Sequence, residues 1–254
     1  MENSDEGSQI SCFRRWMNLQ DEDLLELQQA LDLNADGSAD HTLQLKHLAE
    51  KNATHFQDYK TMRLRLARHD VSSYFSPSWC SSLEGSMLWV GGCRPSIFIR
   101  LVYALSGKEF ESNLREYLQG RRIHGGLGDL SAAQIQLINS LHLKTVRLED
   151  KVSSKLASLQ EDMVDQPITS MAQESESSRG VPNSREVNEA LDKHSESMMI
   201  LLEEADDLRL STMTELMSIL TPFQAVSFLA AGKKLHLCLH QWGTRRDHEH
   251  GRRH

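Results

Sequence analysis

The 254-residue chain is predicted to fold as an all-α, multi-helix bundle. Apolar residues recur at spacings of three and four over long stretches, two capping boxes open such stretches, and no run alternates with period two. Aromatics at 6% and only five prolines also disfavour a sandwich or barrel of short strands. The periodic stretches fit about six to eight helices.

Residues 1–9 are acidic and polar and are expected to be disordered, with a single helical domain over 10–245 and a frayed polar tail over 246–254. From Cys12 to Leu33, the residues Phe13, Trp16, Leu19 (or Gln20), Leu24, Leu27 and Leu31 trace one helical face. Asp40 is placed to cap a long second helix whose apolar groups include Leu43, Leu48, Phe56, Tyr59, Met62 and Leu66. His124-Gly-Gly-Leu-Gly128 reads as a flexible link. Ser131-Ala-Ala-Gln134 then forms a capping box, followed by a stripe of Ile138, Leu141, Thr145, Leu148, Val152, Leu156, Leu159 and Met163. That stripe serves either as bundle core or as the seam of a homodimer. The polar stretch over about 165–184 reads as a mobile surface loop. Arg185 to Leu220 is predicted helical, with Val187, Leu191, His194, Met198, Leu201, Ala205, Leu208, Leu216 and Ile219 facing inward. Thr221-Pro-Phe-Gln224 is a second capping box with proline at the first helical position, where its missing N–H costs nothing; its helix should run to about Trp242.

The formal charge of −8 is unevenly placed: residues 1–40 hold ten acids against Arg14 and Arg15, so the remainder is neutral overall. No dense Lys/Arg stripe of the kind that neutralises DNA phosphates is present. The acidic start does not read as a signal peptide, and the longest mainly apolar stretch, Phe223 to Ala231, is too short for a membrane span. A nuclear or cytoplasmic protein is expected, neither secreted nor in the membrane. Cys12, Cys80, Cys93 and Cys238 form no close pair and read as packed thiols.

No motif proposes a catalytic residue. Gly125-Gly126-Leu-Gly128 lacks the Gly-Lys-Ser/Thr and the preceding strand of a phosphate loop, and neither a nucleophile elbow nor a His-Glu-x-x-His occurs. The chain is therefore expected not to be an enzyme. His236 and His240, in Leu235-His-Leu-Cys-Leu-His240, share one helical face across a rise of about 6 Å. Such a pair can chelate a divalent metal from one side, or one imidazole can ligate haem iron, whereas both cannot be opposite axial ligands of one haem while the helix stays intact. The alternative is that they border the apolar stripe of Phe228, Leu235, Leu239 and Trp242. No residue set with metal-site spacing is assigned.

A more specific segment is Leu88-Trp89-Val90-Gly91-Gly92-Cys93-Arg94-Pro95-Ser96, a Trp-x-Gly-Gly-x-Arg-Pro-Ser signature after Trp79-Cys80 and a short helix. Gly91 and Gly92 permit a sharp reversal, Pro95 starts the next helix, and Trp89 can anchor the turn. This signature resembles that of the plant Delay-of-Germination domain, shared with the C-terminal regions of TGA-type basic leucine-zipper transcription factors. Cys12-Phe13-Arg-Arg-Trp16, His55-Phe56-Gln-Asp-Tyr59, Leu130-Ser-Ala-Ala-Gln-Ile135 and Leu220-Thr-Pro-Phe-Gln-Ala225 resemble other parts of it in order. Only nine residues precede the domain, without the basic region that reads a major groove, so the chain resembles the stand-alone members.

The resemblance implies a regulatory role in seed dormancy or maturation and abscisic-acid responses. It implies protein partners such as type 2C phosphatases or bZIP factors, a possible haem at His236 and His240, and Trp16, Trp89, Gly91, Gly92, Arg94 and Pro95 as structural signature residues. The TGA relationship also carries the alternative of sequence-specific DNA binding, which the absent basic region argues against.

Overall fold

Long helices with an apolar stripe must bury it against one another. The computed structural model describes residues 2–33, 42–118, 126–163, 169 and 185–252. Among them are eight α-helices and a 3-10 turn. They are α1 (Glu2–Leu33), α2 (Thr42–Ala67), α3 (Ser72–Phe75), α4 (Ser82–Ser86), α5 (Ser96–Leu118), the 3-10 turn Leu127–Asp129, α6 (Ala132–Asp162), α7 (Arg185–Ile219) and α8 (Pro222–Glu249). No strand occurs among the described residues; Trp89 and Gly92 make an isolated antiparallel bridge. The chain is the expected all-α bundle. No described helix is long and apolar enough to cross a membrane.

Both expected capping boxes are formed. The Ser131 hydroxyl accepts from the Gln134 N–H while the Gln134 side chain accepts from the Ser131 N–H, and Thr221 and Gln224 do the same. A third box, Ser81 with Glu84, starts α4. The main core joins Leu27 of α1, Leu45 and Leu48 of α2, Ile99 and Val102 of α5, Ile138 and Leu141 of α6, Leu216 of α7 and Val226 and Phe228 of α8. Around it lie smaller clusters, one of Phe13, Trp16 and Met17 with Tyr59 and Trp79, another of Trp89, Val90, Val152, Leu201 and Ala205.

Four expectations are corrected. α1 begins at Glu2 rather than near residue 10, because the buried Gln9 donates to the Asp70 carbonyl (3.1 Å) and accepts from Ser73 (2.7 Å), docking this end of the helix. α8 continues past Trp242 into the expected tail, since the buried Asp247 accepts from the Ser82 N–H at 2.7 Å. The glycine-rich link is held in place over 126–130: Leu127 is fully buried, the Gly128 N–H donates to Glu109, and the Gly126 carbonyl accepts from Gln224. Leu43, Leu191, Leu235 and Trp242 are exposed rather than inward, and so is the thiol-bearing Cys93. The proposed cap Asp40 lies outside the described residues, as does the polar stretch of about 165–184 apart from Thr169.

The inward face of α8 explains the exposure of Trp242. Lys233, His240 and Asp247 are spaced seven residues apart, two helical turns, and each meets a polar partner on another element. Lys233 Nζ donates to Asp23 of α1 at 2.8 Å, His240 Nδ1 meets Glu84 at 3.0 Å, and Asp247 accepts from Ser82. Gly243 sits on the same face, where a Cβ would collide with the Ser81 hydroxyl. The helix therefore turns satisfied polar groups inward and leaves the indole outside.

Candidate functional site

The signature segment builds a tight corner. Val90 and Gly91 both have positive φ, 45° and 68°, and the Trp89 and Gly92 backbones exchange hydrogen bonds of 2.7 and 3.2 Å. These are the marks of a type I′ hairpin turn. A β-branched residue at positive φ is strained; Val90 is held there by burial against Val152, Leu201, Ala205 and Leu208. At Gly91 a Cβ would lie 2.7 Å from Leu202 Cδ1 and 3.1 Å from the Tyr74 carbonyl, so glycine is required for space as well as for φ.

The turn's carbonyls converge on two buried arginines. Arg209 of α7 donates to the carbonyls of Trp89, Val90 (2.8 Å) and Cys93 (2.8 Å), and Arg63 of α2 donates to that of Gly91 (2.8 Å). Asp206 lies between them, 2.7 Å from Arg209 Nη1 and 3.4 Å from Arg63 Nε. One carboxylate thus faces two guanidinium groups, hydrogen-bonded to Arg209 and in ion-pair range of Arg63, whose Nε makes no hydrogen bond. The Trp89 ring sits between Arg209 (5.4 Å) and Arg94 (5.7 Å) and donates through Nε1 to Ser153 at 2.9 Å. Arg94 also approaches Glu149 at 3.6 Å. That carboxylate, 1% exposed on α6, accepts from the N–H (2.6 Å) and hydroxyl (3.0 Å) of Ser96 at the start of α5. A buried anion capping a helix N-terminus meets unsatisfied N–H groups and a favourable dipole. Through Trp89, Gly91, Gly92 and Arg94 the corner thus meets α2, α6 and α7, and Pro95 leads directly into α5. Trp16 stands apart, stacked on Tyr59 at 4.4 Å with Lys233 Nζ 5.7 Å over its ring.

The histidine pair lies on α8 beside α1 and α4. His240 Nδ1 contacts both carboxylate oxygens of Glu84, at 3.1 and 3.0 Å, and its ring meets Phe13 edge-on at 5.6 Å. The Glu84 hydrogen bond raises the His240 pKa above its ordinary value against the effect of partial burial. Burial works against a charged Glu84, yet hydrogen bonds from His240 and Ser81 outweigh it and hold its pKa below the usual carboxylate value. Burial pushes the His236 pKa down, so that ring stays neutral. A neutral imidazole, or one whose Nδ1 is held by a carboxylate so that Nε2 is presented, is ligand chemistry. The donor types therefore fit one haem ligand from this pair. Among the described residues no group of three His, Cys, Asp or Glu is placed to hold a metal ion.

Arg209, Arg63 and Asp206 were not marked by any sequence motif, and Glu149 entered only within the helix that resembles the family's. Glu84 carried a local signal, three residues after Ser81 in a capping box.

The described residues thus form an all-α bundle knit by a buried arginine–aspartate corner. A family model described as seed dormancy control matches residues 23–104. Protein DOG1-like 3 of Arabidopsis thaliana is 41% identical over 250 residues, covering 96% of this chain and 86% of the relative. Protein RESPONSE TO ABA AND SALT 1 of the same plant is 29% identical over 182 residues, 71% of this chain and 70% of the relative. Transcription factor TGA2, also from Arabidopsis, is 24% identical over 217 residues, 85% of this chain and 58% of the relative. The chain belongs to the DOG1-like seed-dormancy-control family.

Proposed function

We propose that the protein is a non-enzymatic regulator of seed dormancy or maturation and of abscisic-acid responses, acting in the nucleus or cytoplasm by binding protein partners. The 41% identity across 96% of the chain to a DOG1-like protein carries this reading. The structure supports it in that buried charged groups such as Arg63, Asp206 and Arg209 face one another and hold helices together. Type 2C phosphatases and bZIP factors are the partner classes that the family resemblance puts forward. Titration calorimetry of the whole chain against a purified member of each class is the test. A saturable, stoichiometric complex with one of them is expected; heat of dilution with both would overturn the partner classes. Duplex DNA is expected to give no gel shift even at low salt, where electrostatic binding is strongest.

The Glu84 contact to His240 favours a second reading, in which the same module responds to haem. His240 would supply the ligating nitrogen, with Glu84 fixing its tautomer and Phe13 its ring plane. Bound haem would supply iron-centred ligand and redox chemistry. Haemin titration followed by Soret absorbance should give a stoichiometric band that His240→Ala loses. A band retained after replacement of both His236 and His240 would remove this reading.

A further inference from the structure

A groove of about 400 Å³ between the first half of α1 and the end of α2 is lined by Gly7, Ser8, Ser11, Arg15, Met62 and Arg65. Elsewhere some acids pair with bases between helices, as in Lys51–Glu26, Lys60–Asp207, Lys144–Glu215 and Lys155–Glu204. Arg15 and Arg65 are among the exposed bases that do not, and both line this groove. No carboxylate lies within 4.0 Å of either among the described residues. Arg65 Nη2 donates to the Met62 thioether at 3.3 Å, and Arg15 to the Cys12 thiol; both are weak acceptors. The two guanidinium-bearing residues face the same groove.

Two neighbouring guanidinium groups of five donors each, left with sulfur acceptors, repel one another until an anion arrives. Their planar forks suit the oxygens of a phosphate, and the hydroxyl-bearing Ser8 and Ser11 line the same groove. Gly7 presents no side chain, and nothing lies within 4 Å of where its Cβ would be, so the floor is open to an incoming group. The volume exceeds what a lone phosphate fills, and Met62 gives it an apolar wall that residues flanking a phosphorylated side chain would cover. A net charge of −8 disfavours an anionic membrane as the source of the phosphate.

We infer that this α1–α2 groove binds a phosphoserine- or phosphothreonine-bearing segment of a protein partner, with Arg15 and Arg65 clamping the phosphate. The inference deepens the partner-binding reading and rests on it. It is tested by fluorescence anisotropy of the whole chain with labelled Ala-Ala-phosphoserine-Ala-Ala and its unphosphorylated form. The phosphorylated peptide should bind at least about tenfold tighter. The R15Q/R65Q variant should lose about tenfold or more of that affinity with an unchanged thermal midpoint, both residues being exposed. Ser11→Glu, which puts a fixed carboxylate into the groove, should weaken binding similarly and serves if the double variant fails to fold. Equal binding of the two peptides, undiminished binding by R15Q/R65Q, or capture only by vesicles carrying a phosphatidylinositol phosphate would each overturn the assignment. Should the peptide fail while the chain still binds a phosphatase or bZIP factor, the groove assignment falls and the partner reading stands.

Discussion

The side-chain amide of Gln134 donates to the side-chain carbonyl of Gln224 at 2.8 Å, joining the caps of α6 and α8 across 90 residues of sequence. Each glutamine also closes its own capping box, and each reaches a backbone carbonyl, Ile219 from Gln134 at 3.0 Å and Gly126 from Gln224 at 3.1 Å. Two local signals have become one long-range clasp that also holds the glycine-rich link. Gln224 is 2% exposed, so every polar atom it abandons is left without water.

Gln224→Ala is therefore expected to cost about 1–3 kcal/mol, read from urea unfolding followed by circular dichroism. The cost should be shared with Gln134: a double-mutant cycle is expected to give a coupling of about 0.5 kcal/mol or more. Additive effects would mean that the two caps act separately.

Arg209 holds the signature corner through three carbonyls and Asp206 and is 2% exposed. Arg209→Met should cost about 3–5 kcal/mol by stripping Asp206 and the corner of their donors. Arg209→Lys should recover only part of this, since an ammonium lacks the fork that spans three acceptors. By contrast the exposed pair Lys155–Glu204, at 2.6 Å, should be worth less than about 1 kcal/mol in Lys155→Ala. Denaturant midpoints of the three variants rank the contacts directly.

The helices and their starts were legible because capping boxes and three–four spacing are local. What stayed hidden was which polar residues go inside. The stripe of α6 has Glu149 in its buried line where Leu148 was expected, because that carboxylate caps α5 from 53 residues away. On α8, counting apolar residues rotated the helix: Leu235 and Trp242 read as inward, whereas Lys233, His240 and Asp247 are, each with a partner 156 to 210 residues distant. Arg209 looked like any helical arginine, and its four acceptors lie on a turn over a hundred positions upstream apart from its i−3 aspartate. Pairing at such separations leaves no periodicity to read. The signature itself was legible as a reversal because two glycines before Arg-Pro admit little else, while the positive φ of Val90 was not.

The Glu84–His240 contact should make stability depend on pH with a definite sign. His240 has its folded pKa raised, so its contribution is complete below the ordinary histidine value and fades as pH rises through the raised one. Glu84 has its pKa lowered, so its share is present above the ordinary carboxylate value and fades as pH falls through the lowered one. His236, with a depressed pKa, adds a penalty only as pH drops below the ordinary histidine value. The stability difference between wild type and His240→Gln is thus expected to be greatest near about pH 6 and to shrink toward about pH 8. A difference that grows with pH in thermal melts would contradict the pairing.

The stripe on α6 was open to two uses, bundle core or homodimer seam, and its contacts favour the first. Ile138 and Leu141 sit in the main core, Val152 joins Leu201, Ala205 and Leu208 of α7, and Thr145 meets Thr212 at 3.4 Å. Leu148 packs at the edge of the Trp89 cluster, next to the buried Glu149. Leu148→Glu would place a second carboxylate at the edge of the apolar Trp89 cluster, beside the buried Glu149 that Arg94 already approaches. A loss of about 2–4 kcal/mol is expected, enough to lower the melting temperature by several degrees or unfold the chain. Size-exclusion chromatography with light scattering checks the alternative: a wild-type dimer that Leu148→Glu converts into a fully folded monomer would move the stripe from the core to an interface between two copies.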